Sequence, residues 1–354
     1  MRTFSLLAAA AALAAALLVA GSAAGGIADD VFTVHNLMSD TSGPATGTDA
    51  TLVNGWGLSA GPTTPWWVSD NGTNSTTLYN GAGAKVPLTV AVPGGPTGTV
   101  FNGAATDFVI SQNGKTGAAR FLFATESGMI LGWSPTVNGT TAIPGVDSSG
   151  SGAIYKGLTT VNDRLYATDF HNNHVDVFDA AFKPVASATF QDPKLPKGYA
   201  PFGIQALAGS IFVTYAKQDA AKKDEVAGNG LGYVDQFTPD GQLVARVASG
   251  GRKNAPPNAP WGLALAPASF GVFSGDILVG NFGNGRVSAY QDRGGGKWVF
   301  KGQLRHGDQT LVAIDGLWAI AFGNGSAGGP TTSLYFAAGP GSEAHGLFGS
   351  ITAG

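Results

Sequence analysis

The residues of this chain that could do chemistry are sparse. Charged residues make up 12% of 354 positions, with 23 acidic against 20 basic residues and five histidines. One set stands out by type and local spacing: Asp70 with Asn71, Glu126, Asp169 with His171, Tyr215 with Lys217, Asn281, and Glu343 with His345. A second set is Asn54, Lys156, Asn258 and Asp315. Carboxylate and amide oxygens suit a hard cation, so calcium is expected through Asp70, Glu126, Asp169 and Asn281. The acid/imidazole pairs Asp169-x-His171 and Glu343-x-His345 could equally ligate a transition metal. The candidate metal set is therefore Glu126, Asp169, Asn281, Glu343 and His345. Each residue also has a plainer role: Asp70-Asn71-Gly72 and Asn281 fit turns, and a strand-end Asp caps backbone amides.

Residues so dispersed need elements that gather them. Asn54 to Gly83 reads as three short strands, WGLSA, WWVSD and TTLYN, bounded by Gly, Pro and Asn. Variants follow from Pro96, from YKGLTT, from PFGIQA, from PWGLALAP and from IDGLWAIAFG. Six units over about 330 residues, about 55 each, fit an all-β, six-bladed propeller of four-stranded antiparallel blades. A β-sandwich would leave the repetition unexplained. The first strand of each unit is small and apolar (WGL, KGL, FGI, WGL, GLW), because these strands crowd one axis and Gly allows the approach. The last unit ends after its third strand, so Val31 to Asp40 is expected to supply its outer strand and close the ring. Antiparallel order within a unit puts first-strand starts and second-strand ends on one face. Both sets of polar residues are thus expected around one channel mouth.

Composition narrows the rest. The chain has 54 glycines without a collagen period, and 44% hydrophobic residues exclude disorder. A net charge of −3 with no basic block gives no nucleic-acid footprint. The absence of cysteine excludes disulfides, thiolate metal sites and a Cys nucleophile. G-x-S-x-G, Walker and H-E-x-x-H motifs are missing. Residues 1–24, with Arg2, an Ala/Leu run and Gly21-Ser22-Ala23-Ala24, read as a signal peptide, leaving 25–354 as one propeller domain. An exported, periplasmic or extracellular monomer with no later membrane span is expected. The charged insertion Ala216 to Gly230 is either a solvated excursion or a lid over the mouth. Four N-x-S/T sequons begin at Asn71, Asn74, Asn138 and Asn324, and turn chemistry accounts for most of them.

NGWGL…WWVSDNGTNSTTLYNG, RFLFATESGMILGW, ATDFHNNHVDVFD, PWGLALAP…GDILVGNFGNGRVSAY and AAGPGSEAHGLFGSI resemble a family of exported bacterial six-bladed propeller proteins, and the resemblance runs over nearly all of the chain after residue 24. It implies the TolB-like architecture and carries no catalytic residues. The blades are more distantly similar to NHL-type repeats and to gluconolactonase- and paraoxonase-like propellers, which hold calcium in the channel mouth. Glu126, Asn281 and Asp169 could imitate that set by fold analogy. Two functions follow. One is a binding or scaffold protein using the channel mouth for an unknown small molecule or protein partner. The alternative is a calcium-assisted hydrolase or lyase of lactone or sugar-like substrates.

Overall fold

Short apolar runs punctuated by Gly, Pro and Asn form strands and, beyond them, only three one-turn 3-10 helices among the described residues. The computed structural model describes Met1, residues 31–186 and residues 190–354. The expected signal peptide, past Met1, lies outside the described residues. Among those described, no helix is long and apolar enough to cross a membrane.

The fold is all-β and propeller-like. Four sheets stand as separate blades. One has three strands, Tyr155–Val161, Arg164–Asp169 and His174–Phe178. Two have four strands and begin at Tyr199–Leu207 and Pro260–Leu265. The last has five: the N-terminal strand Phe32–Ser39 pairs antiparallel with the C-terminal Leu347–Ala353, from Phe32 against Ala353 to Ser39 against Leu347, and the short strand Gly47–Thr48 pairs parallel with Phe32–Ser39. Eight further strands form a single sheet. Within it two antiparallel groups, led by Gly55–Ser59 and Pro96–Phe101, join through one parallel pairing of Thr141 with Ala91. A small hairpin, Val109–Gln112 with Lys115–Ala118, stands apart.

The inner strands Gly55–Ser59, Pro96–Phe101, Tyr155–Val161, Tyr199–Leu207, Pro260–Leu265 and Leu317–Phe322 pack in a closed ring, each against the next and the last against the first. Glycine makes that ring possible. A Cβ on Gly203 would lie 2.1 Å from the Trp261 carbonyl oxygen, and one on Gly98 would lie 2.6 Å from the Leu158 nitrogen. No side chain fits at such distances. Every inner strand also carries a register shift near its start, or opposite it, as between Gly55 and Leu58 or between Pro260 and Leu263. These bulges re-aim the residues that begin each inner strand. The apolar core lies between neighbouring sheets, in clusters such as Tyr166, Val175 and Val177 with Ile211 and Val213.

Candidate functional site

One residue near the start of each inner strand, just before Gly57, Gly98, Gly157, Gly203, Gly262 and Ala319, marks an equivalent position. Four of these positions are aromatic: Trp56, Phe202, Trp261 and Trp318. Trp56 stacks on Trp318 at 3.6 Å, and Phe282 stacks on Trp318 at 3.9 Å. They plug the channel. At the equivalent position of the Tyr155–Val161 strand stands Lys156, which is fully buried.

A bare ammonium cannot stay there, because burial disfavours charge. Lys156 Nζ therefore donates to Glu126 Oε1 at 2.7 Å, approaches Asp224 Oδ1 at 3.4 Å and lies 4.7 Å from the Trp56 ring centroid. Burial pulls its pKa down, but the charges of Glu126, Glu225 and Asp224 outweigh this and hold it above the usual lysine range. Burial likewise pushes Glu126 up, and Lys156 reverses this, keeping its carboxyl below the ordinary range.

From Glu126 a polar chain runs around the mouth. Asn71 Nδ2 donates to Glu126 Oε2 at 3.1 Å, and Asn54 Nδ2 donates to Asn71 Oδ1 at 3.4 Å and to Glu343 Oε2 at 2.8 Å. The Trp318 indole N–H donates to Asn54 Oδ1 at 2.9 Å, tying the network to the plug. Asn54 (φ 48°) and Glu343 (φ 67°) both occupy the left-handed region, which a Glu adopts at a cost.

The insertion folds over this end. Gln218 bridges Glu225, Gln218 Nε2 donates to the Phe170 carbonyl at 2.6 Å, and the Gly228 N–H donates to Asn258 Oδ1 at 2.6 Å. Of its carboxylates, Asp224 is 55% exposed. Glu225 is pushed up to about 8, first by burial and further by Glu343 and Asp224. Burial also raises Glu343, with Glu126 and Asp224 adding to the shift against the opposing pull of Lys156. Four carboxylates thus face one buried ammonium, with the exposed Lys223 acting on Glu126 from outside.

Of the expected residues, Asn71, Glu126 and Glu343 come together here, with Asn54 and Lys156 from the second set. Three others do not. Asp70 is buried in its own sheet, accepting from Thr77 Oγ1 at 3.1 Å and Ser75 Oγ at 3.3 Å, and burial drives its carboxyl well up. Asp169 accepts from the Ile154 and Asn172 backbone N–H groups and from Asn172 Nδ2 at 2.8 Å. Asn281 accepts from the Asn258 N–H at 2.9 Å and donates to the Arg286 carbonyl at 2.9 Å. All three are the last residue of a second strand, and the pleat turns them into the sheet. The next residue faces the mouth, as Asn71 and Glu126 do.

The remaining residues are dispersed. Tyr215 is buried among apolar side chains and Lys217 is exposed. Asp315 accepts from the Gly341 N–H at 2.8 Å. His345 Nδ1 pairs with Asp40 Oδ2 at 2.9 Å, and the His171 ring lies beside Gly152.

The expected calcium set therefore does not fit. Asp169 and Asn281 spend their donor atoms inside their own sheets, both Glu126 oxygens are engaged, and an ammonium occupies the centre. Asp169, His174 and Asp176 do cluster elsewhere with ligand atoms within 4.8 Å of one another, and the Tyr155 hydroxyl donates to Asp176 at 2.5 Å.

Sequence reasoning missed Asp224 and Glu225 as site residues. It also left Lys156 out of the principal set. The signal for Lys156 was its place in YKGL, where the other units read WGL, FGI or WGL. Beyond the plug, the opposite end of the axis is uncharged, with Ser59, Thr99, Gln205 and Asn324 among its lining. A cavity of about 300 Å³ is lined there by Leu58, Val100, Leu158, Ile204, Leu263 and Phe322, among others, and by no charged residue.

No family model matches the chain. Among solved structures, a Bacteroides thetaiotaomicron protein of unknown function aligns with a TM-score of 0.58 at 11% identity, over 91% of this chain and 76% of that one. Virginiamycin B lyase from Staphylococcus aureus aligns with a TM-score of 0.51 at 12% identity, over 91% and 99%. Such identities speak for the fold alone. Among curated proteins, uncharacterized protein R640 of Acanthamoeba polyphaga mimivirus is 33% identical over 231 residues, which are 64% of this chain but only 42% of that protein. Uncharacterized protein L690 of the same virus is 30% identical over 301 residues, 81% of this chain and 78% of its own. These relatives are viral, where the motif resemblance implied bacterial proteins. The chain belongs to the family of mimivirus protein L690.

Proposed function

We propose that the chain is a six-bladed β-propeller that binds a small cationic ligand at the Lys156 end of its axis, beneath the insertion. Six blades follow if the eight-stranded sheet is divided at its single parallel pairing, Ala91 with Thr141, giving two groups of four. The ring of six inner strands supports that division.

The observation that carries the binding reading is the charge imbalance at this mouth. Glu126 is matched by Lys156, whereas Glu225 and Glu343 are held above their ordinary pKa. Carboxylates in that condition gain from an added cation, which would let them ionise. A ligand amine suits the site better than calcium, which takes six to eight oxygens that the hydrogen-bonded carboxylates and amides here do not supply. For the same reason the calcium-assisted hydrolase reading is not favoured.

Titration calorimetry at pH 8.5 tests this with 1,4-diaminobutane, 1,4-butanediol, succinate and calcium. The diamine alone is expected to bind, and Glu343→Gln should weaken it at least five-fold. Equal binding of the diol, or binding of succinate, would overturn the reading. We also propose export, on residues 1–24 alone. N-terminal sequencing of the secreted fraction should return a start between Ala24 and Ala28, and recovery of Met1 would contradict it.

A further inference from the structure

Away from the axis, the two strand groups of the eight-stranded sheet leave a cleft between them. It has a volume of about 600 Å³ and opens beside the turn that contains Pro62 and Pro65. Its floor is aromatic. Trp67 stacks on Phe121 at 4.2 Å and meets Trp133 at 4.6 Å, while Phe101 meets Phe121 edge-on at 5.3 Å. Its walls include Val86 and Leu88 from the outer strand Lys85–Ala91, both partly exposed.

One charged residue lines this cleft, Arg120. Its guanidinium lies 5.2 Å from the Phe101 ring centroid, and no carboxylate pairs with it among the described residues. The Phe101 ring is seated by Gly61: a Cβ there would lie 2.6 Å from the ring. The cation is thus held over an aromatic face at the edge of an apolar hollow, with its forked donors unspent.

We propose that this cleft binds a small apolar carboxylate, an aliphatic or aromatic acid, with its body on Trp67, Phe101 and Leu88 and its carboxylate on Arg120. The volume lies within the range of small-molecule sites, and the pairing of a mostly apolar lining with one placed polar group is the usual form of such sites. A planar guanidinium takes a carboxylate through two parallel hydrogen bonds. The site is separate from the Lys156 mouth and does not depend on how that mouth functions.

The test uses the full chain and three ten-carbon probes: decanoate, decanol and decyltrimethylammonium. Fluorescence of Trp67 and Trp133, backed by calorimetry, would follow binding. Decanoate is expected to bind at least ten-fold tighter than decanol, and the trimethylammonium probe should bind weakest. Arg120→Gln should weaken decanoate about ten- to hundred-fold, as a charge-assisted hydrogen bond implies, and leave decanol unchanged. Leu88→Glu, on a partly exposed strand position, should weaken decanoate with the melting temperature preserved. Equal affinity for decanoate and decanol, no loss in Arg120→Gln, or no binding of decanoate would each overturn the proposal.

Discussion

The two ends of the axial channel are built from the same six inner strands and solve opposite problems. Strand starts meet at the Lys156 end, where a buried cation, four carboxylates and two asparagines are packed under an insertion. Strand ends meet at the other end, around a cavity lined by no charged residue. The plug of Trp56, Trp318 and Phe282 divides them. The repeat itself favours the uncharged solution, since small and apolar side chains are what a crowded axis accepts. The charged end exists because a few positions depart from the repeat: Lys156 where an aromatic is the rule, Asn71 and Glu126 where Phe170 and Phe282 stand in other blades, and the insertion.

Breaking the charged end should cost most. Lys156→Met leaves Glu126 and its neighbours without their buried partner, and removing one member of such a pair costs about 3–5 kcal/mol. The loss should be larger at pH 9 than at pH 5, because ionised carboxylates are what the ammonium neutralises. Denaturant melts at the two pH values measure this. An unchanged or raised stability at pH 9 would mean that the mouth needs no cation.

Glu225→Gln sharpens the contrast with a gain. The folded-state pKa of Glu225 is raised to about 8, so the stability this group allows is intact below its unfolded pKa and falls as pH rises through 8. Replacing it should therefore do little at pH 5 and stabilise at pH 9. Each pKa unit corresponds to about 1.4 kcal/mol, and partial solvent access reduces the sum, so a gain on the order of 2 kcal/mol is expected. A variant less stable than the parent at pH 9 would reverse the sign of the account. At the uncharged end, Ile204→Val should cost only about 0.5–1.5 kcal/mol, with no dependence on pH between 5 and 9. A pH-dependent loss there would mean that the plug does not insulate the two ends.

Much of the fold was legible in the sequence, and the site less so. Strand order, the glycines of the inner strands and the pairing of Phe32–Ser39 with the C-terminal strand all follow from local patterns that repeat. The face on which polar residues gather was legible too, which is why Asn54, Asn71, Glu126 and Glu343 meet. What could not be read was a one-residue offset. Asp70, Asp169 and Asn281 are one position short of the mouth, and the bulge in each inner strand shifts which residue faces the axis. Asp224 and Glu225 were illegible for another reason: the path of an insertion over a channel depends on tertiary contacts such as Gln218 with Phe170, which no local spacing encodes.

The central claim is that the Lys156 mouth holds carboxylate charge in excess of its cations. The most direct measurement is a titration of the Glu side-chain carboxyl carbons by NMR, with Glu225→Gln used to assign the resonance. Glu225 is expected to titrate near pH 8, with its pKa falling when 1,4-diaminobutane is added. A Glu225 carboxyl that titrates between 4 and 5, with or without the diamine, would contradict the account.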